Sequence, residues 1–171
     1  MTKNVLQFTV LFIVLILLQV VCNKIVLFGM ATPIVFIYLI LRLPINLHNN
    51  WTYTIAFAMG LIVDIFSNCP GMNALSCVVM AAIRRPVFNL YVAHEDDISP
   101  IPSLASLGVP GYFKYMATLV AAYCILLFSI QAFSLHNALL TLGRITTSTV
   151  LSVVLILAID SLVSSDREKR L

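Results

Sequence analysis

The chain has 171 residues, 61% of them hydrophobic and 10% charged, with a mean hydropathy of +1.03 and a formal net charge of +3. Soluble domains carry about 25% charged residues, so this composition excludes an ordinary soluble enzyme or binding module and predicts a membrane protein. The basic residues stand at the ends of apolar runs rather than on one soluble face, which argues against nucleic acid as a partner. At about 20 residues per span the length accommodates about six helices with short connections, hence a single integral membrane domain over 1–171.

Lys3 precedes an uncharged run from Val5 to Cys22. The run exceeds the roughly 7–15 apolar residues of a signal peptide, and Val21 is not the small residue that a cleavage site needs, so a retained first helix is expected at 5–22. Asn23-Lys24 turns the chain into a second helix, 25–41, whose axis Gly29 and Pro33 should bend. Arg42 to Asn50 reads as a polar loop. Trp51 and Tyr53 are expected to anchor the start of a third helix, 51–66, at the membrane interface. A fourth helix follows at 74–92, with Asn73 as a candidate N-cap. It has to continue through Arg84-Arg85-Pro86, because Ala74 to Ile83 alone spans only about 15 Å.

His94 to Lys114, holding Glu95-Asp96-Asp97 and three prolines, is expected to be a loop resting on the membrane surface. Helices at 115–133 and 138–163 complete an all-α, six-transmembrane-helix bundle. A cytoplasmic N-terminus puts Lys3, Arg42, Arg84, Arg85, Lys114, Arg167, Lys169 and Arg170 inside and only Lys24 outside. The positive-inside rule therefore predicts that both termini are cytoplasmic, that loop 94–114 is cytoplasmic, and that the turn after the third helix faces outward.

The polar chemistry gathers in residues 60–75, where Asp64 stands near the outer end of the third helix. The helix dipole disfavours a carboxylate there, so something must hold it. Two partners are in reach: the free N–H groups near Gly71, Met72 and Asn73 at the start of the fourth helix, and Arg144, six residues into the sixth helix. Either makes Asp64 a structural clamp, and a partner-binding or relay role is the alternative. Arg84-Arg85 are expected to snorkel towards the headgroups, as topology anchors or as contacts for anionic lipid or a partner's acidic groups. Asp160 is expected to be interfacial and solvated. Thr146-Thr147-Ser148-Thr149 and Ser152 should let helices approach closely, within the protein or against another membrane helix.

Cys22, Cys69, Cys77 and Cys124 have no CxxC or Cys/His spacing, and His48, His94 and His136 fall in three separate loops. Neither a metal site nor a disulfide is expected. With no GxSxG, HExxH or phosphate-binding glycine loop, the sequence offers no catalytic apparatus and no cofactor site.

Gly60-Leu61-Ile62-Val63-Asp64 late in the third helix, Gly71-Met72-Asn73-Ala74-Leu75 opening the fourth, and Arg85-Pro86 near its end resemble the signature region of the bacterial rod-shape-determining MreD family. The likeness covers the whole chain in hydropathy and residues 60–75 in motif. Pro70 standing directly before Gly71 is a departure, and the family assigns no role to loop 94–114. The resemblance implies a non-enzymatic, multi-pass protein of the bacterial inner membrane that binds the bitopic coiled-coil protein MreC. Through MreC it would link MreB filaments to the glycan polymerase RodA and a class B penicillin-binding protein. Gly60, Asp64, Gly71, Asn73, Arg84, Arg85 and Arg144 are then structural or partner-contact residues. The family also resembles energy-coupling-factor S-components in its six-helix architecture, which makes a substrate-binding subunit of a vitamin transporter the alternative function.

Overall fold

A computed structural model describes residues 2–24, 32–69, 71–91, 102, 104–132 and 138–168. Among the described residues the protein is all-helical, with six helices: α1 Thr2–Lys24, α2 Ile37–Arg42, α3 Asn49–Ser67, α4 Met72–Tyr91, α5 Leu104–Ala132 and α6 Ala138–Glu168. Two stretches, Leu107–Gln131 of α5 and Leu140–Ser161 of α6, are long and apolar enough to cross a membrane. Helix α3 packs on α4, α4 on α5 and α5 on α6, while α1 leans on α3. Outward faces stay apolar, with Ile13, Leu17 and Val21 on α1, Phe57 and Ile65 on α3, and Val150 and Val154 on α6 all exposed. Large exposed apolar faces are a liability in water and the normal state in lipid.

The centre of the bundle corrects the expected second helix. Residues 32–35 are not helical, and only Ile37–Arg42 forms a helix, one and a half turns long and wholly buried; residues 25–31 of the expected span lie outside the described residues. Pro33 has no N–H to give and biases Thr32 away from the helical region, so the chain enters extended. Side chains from other helices then take its backbone groups. Ser148 Oγ accepts from Thr32 N at 3.1 Å and Ser152 Oγ from Ile34 N at 2.9 Å. Gln19 Oε1 accepts from Val35 N at 2.8 Å, while Gln19 Nε2 donates to the Pro33 carbonyl at 3.0 Å. Irregular backbone buried in a protein is tolerable only when its polar groups find partners. Two of the hydroxyls expected to ease helix packing, those of Ser148 and Ser152, thus supply acceptors to this segment alongside Gln19.

The expected loop 94–114 is corrected in its second half. Helix α5 already begins at Leu104, with a break at Gly108 (φ 69°, ψ 164°), a conformation open to glycine because it lacks a Cβ. Pro110 follows in the first turn after the break, where its missing N–H costs nothing. Tyr112 and Tyr115, the latter assigned to the edge of the expected helix, are both fully buried. The acidic run Glu95-Asp96-Asp97 lies outside the described residues. Helix α4 does run through Pro86 as the span length required.

Candidate functional site

Helices α3 and α4 meet where the sixteen-residue motif folds back on itself. A Cβ added to Gly60 would fall on the Cα of Ala74 and 2.7 Å from the Asn73 carbonyl oxygen, so only glycine allows the two backbones this close. Gly60→Ala should lower the midpoint of detergent-induced unfolding, with an overpacking cost of about 1–3 kcal/mol. An unchanged midpoint would mean that the helices can separate freely here.

That approach brings Asp64 to the start of α4. Asp64 Oδ1 accepts from Asn73 N at 3.0 Å and from Asn73 Nδ2 at 2.9 Å, and Oδ2 accepts from Ala74 N at 2.9 Å. The carboxylate is 3% exposed. It caps a neighbouring helix: free N–H groups and the positive end of the α4 dipole supply what a cation would. Asn68, in the left-handed region at φ 51°, closes α3, and both Asn68 N and Cys69 N return to the Asp64 carbonyl. Gly71, at φ +80°, turns the chain into α4.

Two expectations are corrected here. Asn73 is not the N-cap, since α4 begins at Met72; it lies in the first turn and receives the hydroxyl of Tyr123 from α5 on its Oδ1 while giving its amide to Asp64. One side chain thereby joins three helices. Arg144 does not pair with Asp64: the only ion pair among the described residues is elsewhere, and Arg144 lies half-buried on α6. Both carboxylate oxygens are already occupied by donors from α4.

The ion pair joins Arg42 to Asp160, the largest surprise relative to the sequence. Asp160 is fully buried rather than solvated, and Arg42 ends α2, also buried, rather than opening a polar loop. Arg42 Nη2 lies 3.1 Å from Asp160 Oδ1, which also accepts from Tyr38 Oη at 2.7 Å and Tyr112 Oη at 3.2 Å. Tyr38 and Arg42 are one helical turn apart on α2, and the Arg42 guanidinium lies 5.5 Å from the Tyr38 ring centroid. The cluster ties the central segment to α5 and α6. The i, i+4 spacing of Tyr38 and Arg42, with an aspartate inside the apolar sixth helix, was the signal that sequence reasoning passed over.

Arg84 and Arg85 are not snorkelling anchors. Arg84 is 1% exposed and donates through Nη1 to the Ile40 carbonyl and Nη2 to the Pro44 carbonyl, each at 2.8 Å. Arg85 donates to the carbonyls of Ile45 and Leu47, both at 2.9 Å from Nη2. The two guanidinium groups fasten the end of α4 to the carbonyl end of α2 and the segment beyond it, where the dipole favours a cation. No group of three or more His, Cys, Asp or Glu side chains capable of holding a metal is found among the described residues.

Comparisons with protein-family models, with curated proteins and with solved structures find no match to this chain.

Proposed function

We propose that this protein is a non-enzymatic, six-span membrane scaffold of the bacterial cell-elongation machinery, of the kind the resemblance to MreD implies. It would sit in the inner membrane with both termini cytoplasmic, bind MreC directly, and through it couple MreB filaments to RodA and a class B penicillin-binding protein. One observation supports this reading above others. The two segments that carry the resemblance, 60–64 and 71–75, form a single closed unit in which Gly60 admits Ala74 and Asp64 caps α4. Asp64 is spent on holding the outer turn in shape, as a docking platform requires and as a proton-transferring carboxylate would not be. Fixed geometry of this kind lowers the ordering cost of binding a partner helix or loop.

Depletion in the native host tests the proposal. Rounded or lysing cells, together with co-purification of a bitopic coiled-coil protein, are the expected result. Unchanged shape after depletion would overturn it.

A cavity gives specific support to the transporter-subunit reading. At the end where α1, α3 and α5 finish, a space of about 240 Å³ is bounded by Gln19, Asn23, Ser67, Asn68, Asn73 and Gln131. A vitamin-binding subunit would need polar groups of this sort. Most are already engaged, however: Gln19 by the 33–36 backbone, Asn23 by Ser67 at 2.6 Å, and Asn73 by Asp64 and Tyr123. The scaffold reading is therefore preferred, and vitamin auxotrophy without a shape defect would reverse the order.

A further inference from the structure

We propose that the cavity between the start of α3 and the end of α4 binds an anionic phosphodiester that carries a hydroxyl, the chemistry of a phosphatidylglycerol headgroup. The cavity measures about 230 Å³, and Asn49, Thr52, Tyr53, Ala82, Arg84 and Arg85 are among the residues that bound it. At about 30 Å³ per water-sized group it has room for about eight.

Three positive features border this space. Arg84 is buried to 1% exposure with its Nε unpartnered among the described residues. Arg85 stands beside it, half-buried, with carbonyls as its hydrogen-bond partners and no ion pair among the described residues. Asn49 is the first residue of the 19-residue α3, whose first turn contains no acidic side chain, so the positive end of a helix dipole faces the same volume. Carbonyl dipoles soften the cost of two adjacent guanidinium groups in an apolar setting without cancelling their charge, and an anion does so far better. Planar guanidinium groups suit phosphate oxygens in particular.

The hydroxyl preference comes from Pro86. Having no N–H, it leaves the Ala82 carbonyl without its helical donor, and Ala82 borders the cavity. A carbonyl beside two cations favours an anion that also brings a donor, as phosphoglycerol does and a choline phosphate does not. Trp51, 65% exposed at the start of α3, and Tyr53 belong to the residue types that settle at headgroup level. Basic pockets between membrane helices take anionic headgroups on this physical basis. The inference stands apart from the scaffold reading.

The test uses the full chain, purified in mild detergent and offered equal amounts of dioleoyl phosphatidylglycerol and dioleoyl phosphatidylcholine, with retained lipid read by native mass spectrometry. Phosphatidylglycerol should be retained about tenfold over phosphatidylcholine. Arg85→Gln should reduce that preference by roughly fivefold. Ala82→Trp, which adds bulk at an exposed position bordering the cavity, should abolish it while leaving the unfolding midpoint as in the wild type. Arg144→Gln, outside the cavity, should leave it intact. Displacement of the lipid by soluble glycerol phosphate would show that the site also takes a free phosphate ester, and its failure to displace would assign the site to lipid alone. Equal retention of the two lipids by the wild type, or an undiminished preference in Ala82→Trp, would overturn the proposal.

Discussion

Asp160→Ala should destabilise the protein by about 3–5 kcal/mol, because it strands the Arg42 guanidinium without its counter-charge in a buried site. Arg42 is 6% exposed and Asp160 fully buried, and the same carboxylate oxygen holds the hydroxyls of Tyr38 and Tyr112. Removing it unties α2, α5 and α6 together. The double variant Arg42→Met/Asp160→Leu should recover the part of the loss that comes from the stranded charge, while the buried hydroxyls of Tyr38 and Tyr112 still lack their acceptor. Midpoints of SDS-induced unfolding in mixed micelles provide the comparison. Were the single and double variants equally unstable, the damage would lie in packing and in the two tyrosine hydroxyls left without their acceptor rather than in a stranded charge.

The second large effect belongs to Asp64. Asp64→Ala removes the acceptors for Asn73 N, Asn73 Nδ2 and Ala74 N. Hydrogen bonds to a charged group contribute about 1.5–3 kcal/mol each, and partial relaxation at the α4 terminus brings the expected total to roughly 3 kcal/mol. Asp64→Asn keeps one acceptor oxygen and should lose about half as much. Arg144→Ala should fall within about 0.5 kcal/mol of the wild type. If Arg144→Ala instead matched Asp64→Ala, and the two together were no worse than either alone, the carboxylate's partner would be the arginine and the cap would be incidental.

How much of this was legible depended on whether the partner lay nearby in sequence. Asp64 and the start of α4 are ten residues apart at most, separated by a glycine turn, and a lone carboxylate beside free helix N–H groups could be read from that stretch. Charge counting also offered Arg144, because it treats a cation as the natural partner and ignores backbone donors that carry no formal charge. Asp160 was misread for the opposite reason. Ser161, Ser164 and Ser165 around it imitate a solvated helix end, whereas its real partners come from α2 and α5, 48 or more residues away in the chain. The extended segment at 32–35 could be anticipated only as a bend at Pro33, since what stabilises a full break is Gln19, Ser148 and Ser152, contributed by α1 and α6. The part of α5 that resumes after the break had a usable local signal, a glycine two positions before Pro110, and the proline count of the surrounding stretch masked it.

The unwound backbone at the centre of the bundle also sets an order of assembly. Its acceptors Ser148 and Ser152 lie 116 and 118 residues downstream of the N–H groups they receive. A nascent chain emerging from its N-terminus therefore carries residues 32–34 into place well before α6 exists to satisfy them. A buried backbone group left without a partner costs free energy comparable to a lost hydrogen bond, so until then this segment is better left in contact with water. Helices α3, α4 and α5 can associate pairwise as they appear, since α4 packs on α3 and α5 on α4. The core itself closes last, when the final helix arrives and draws the centre in behind it.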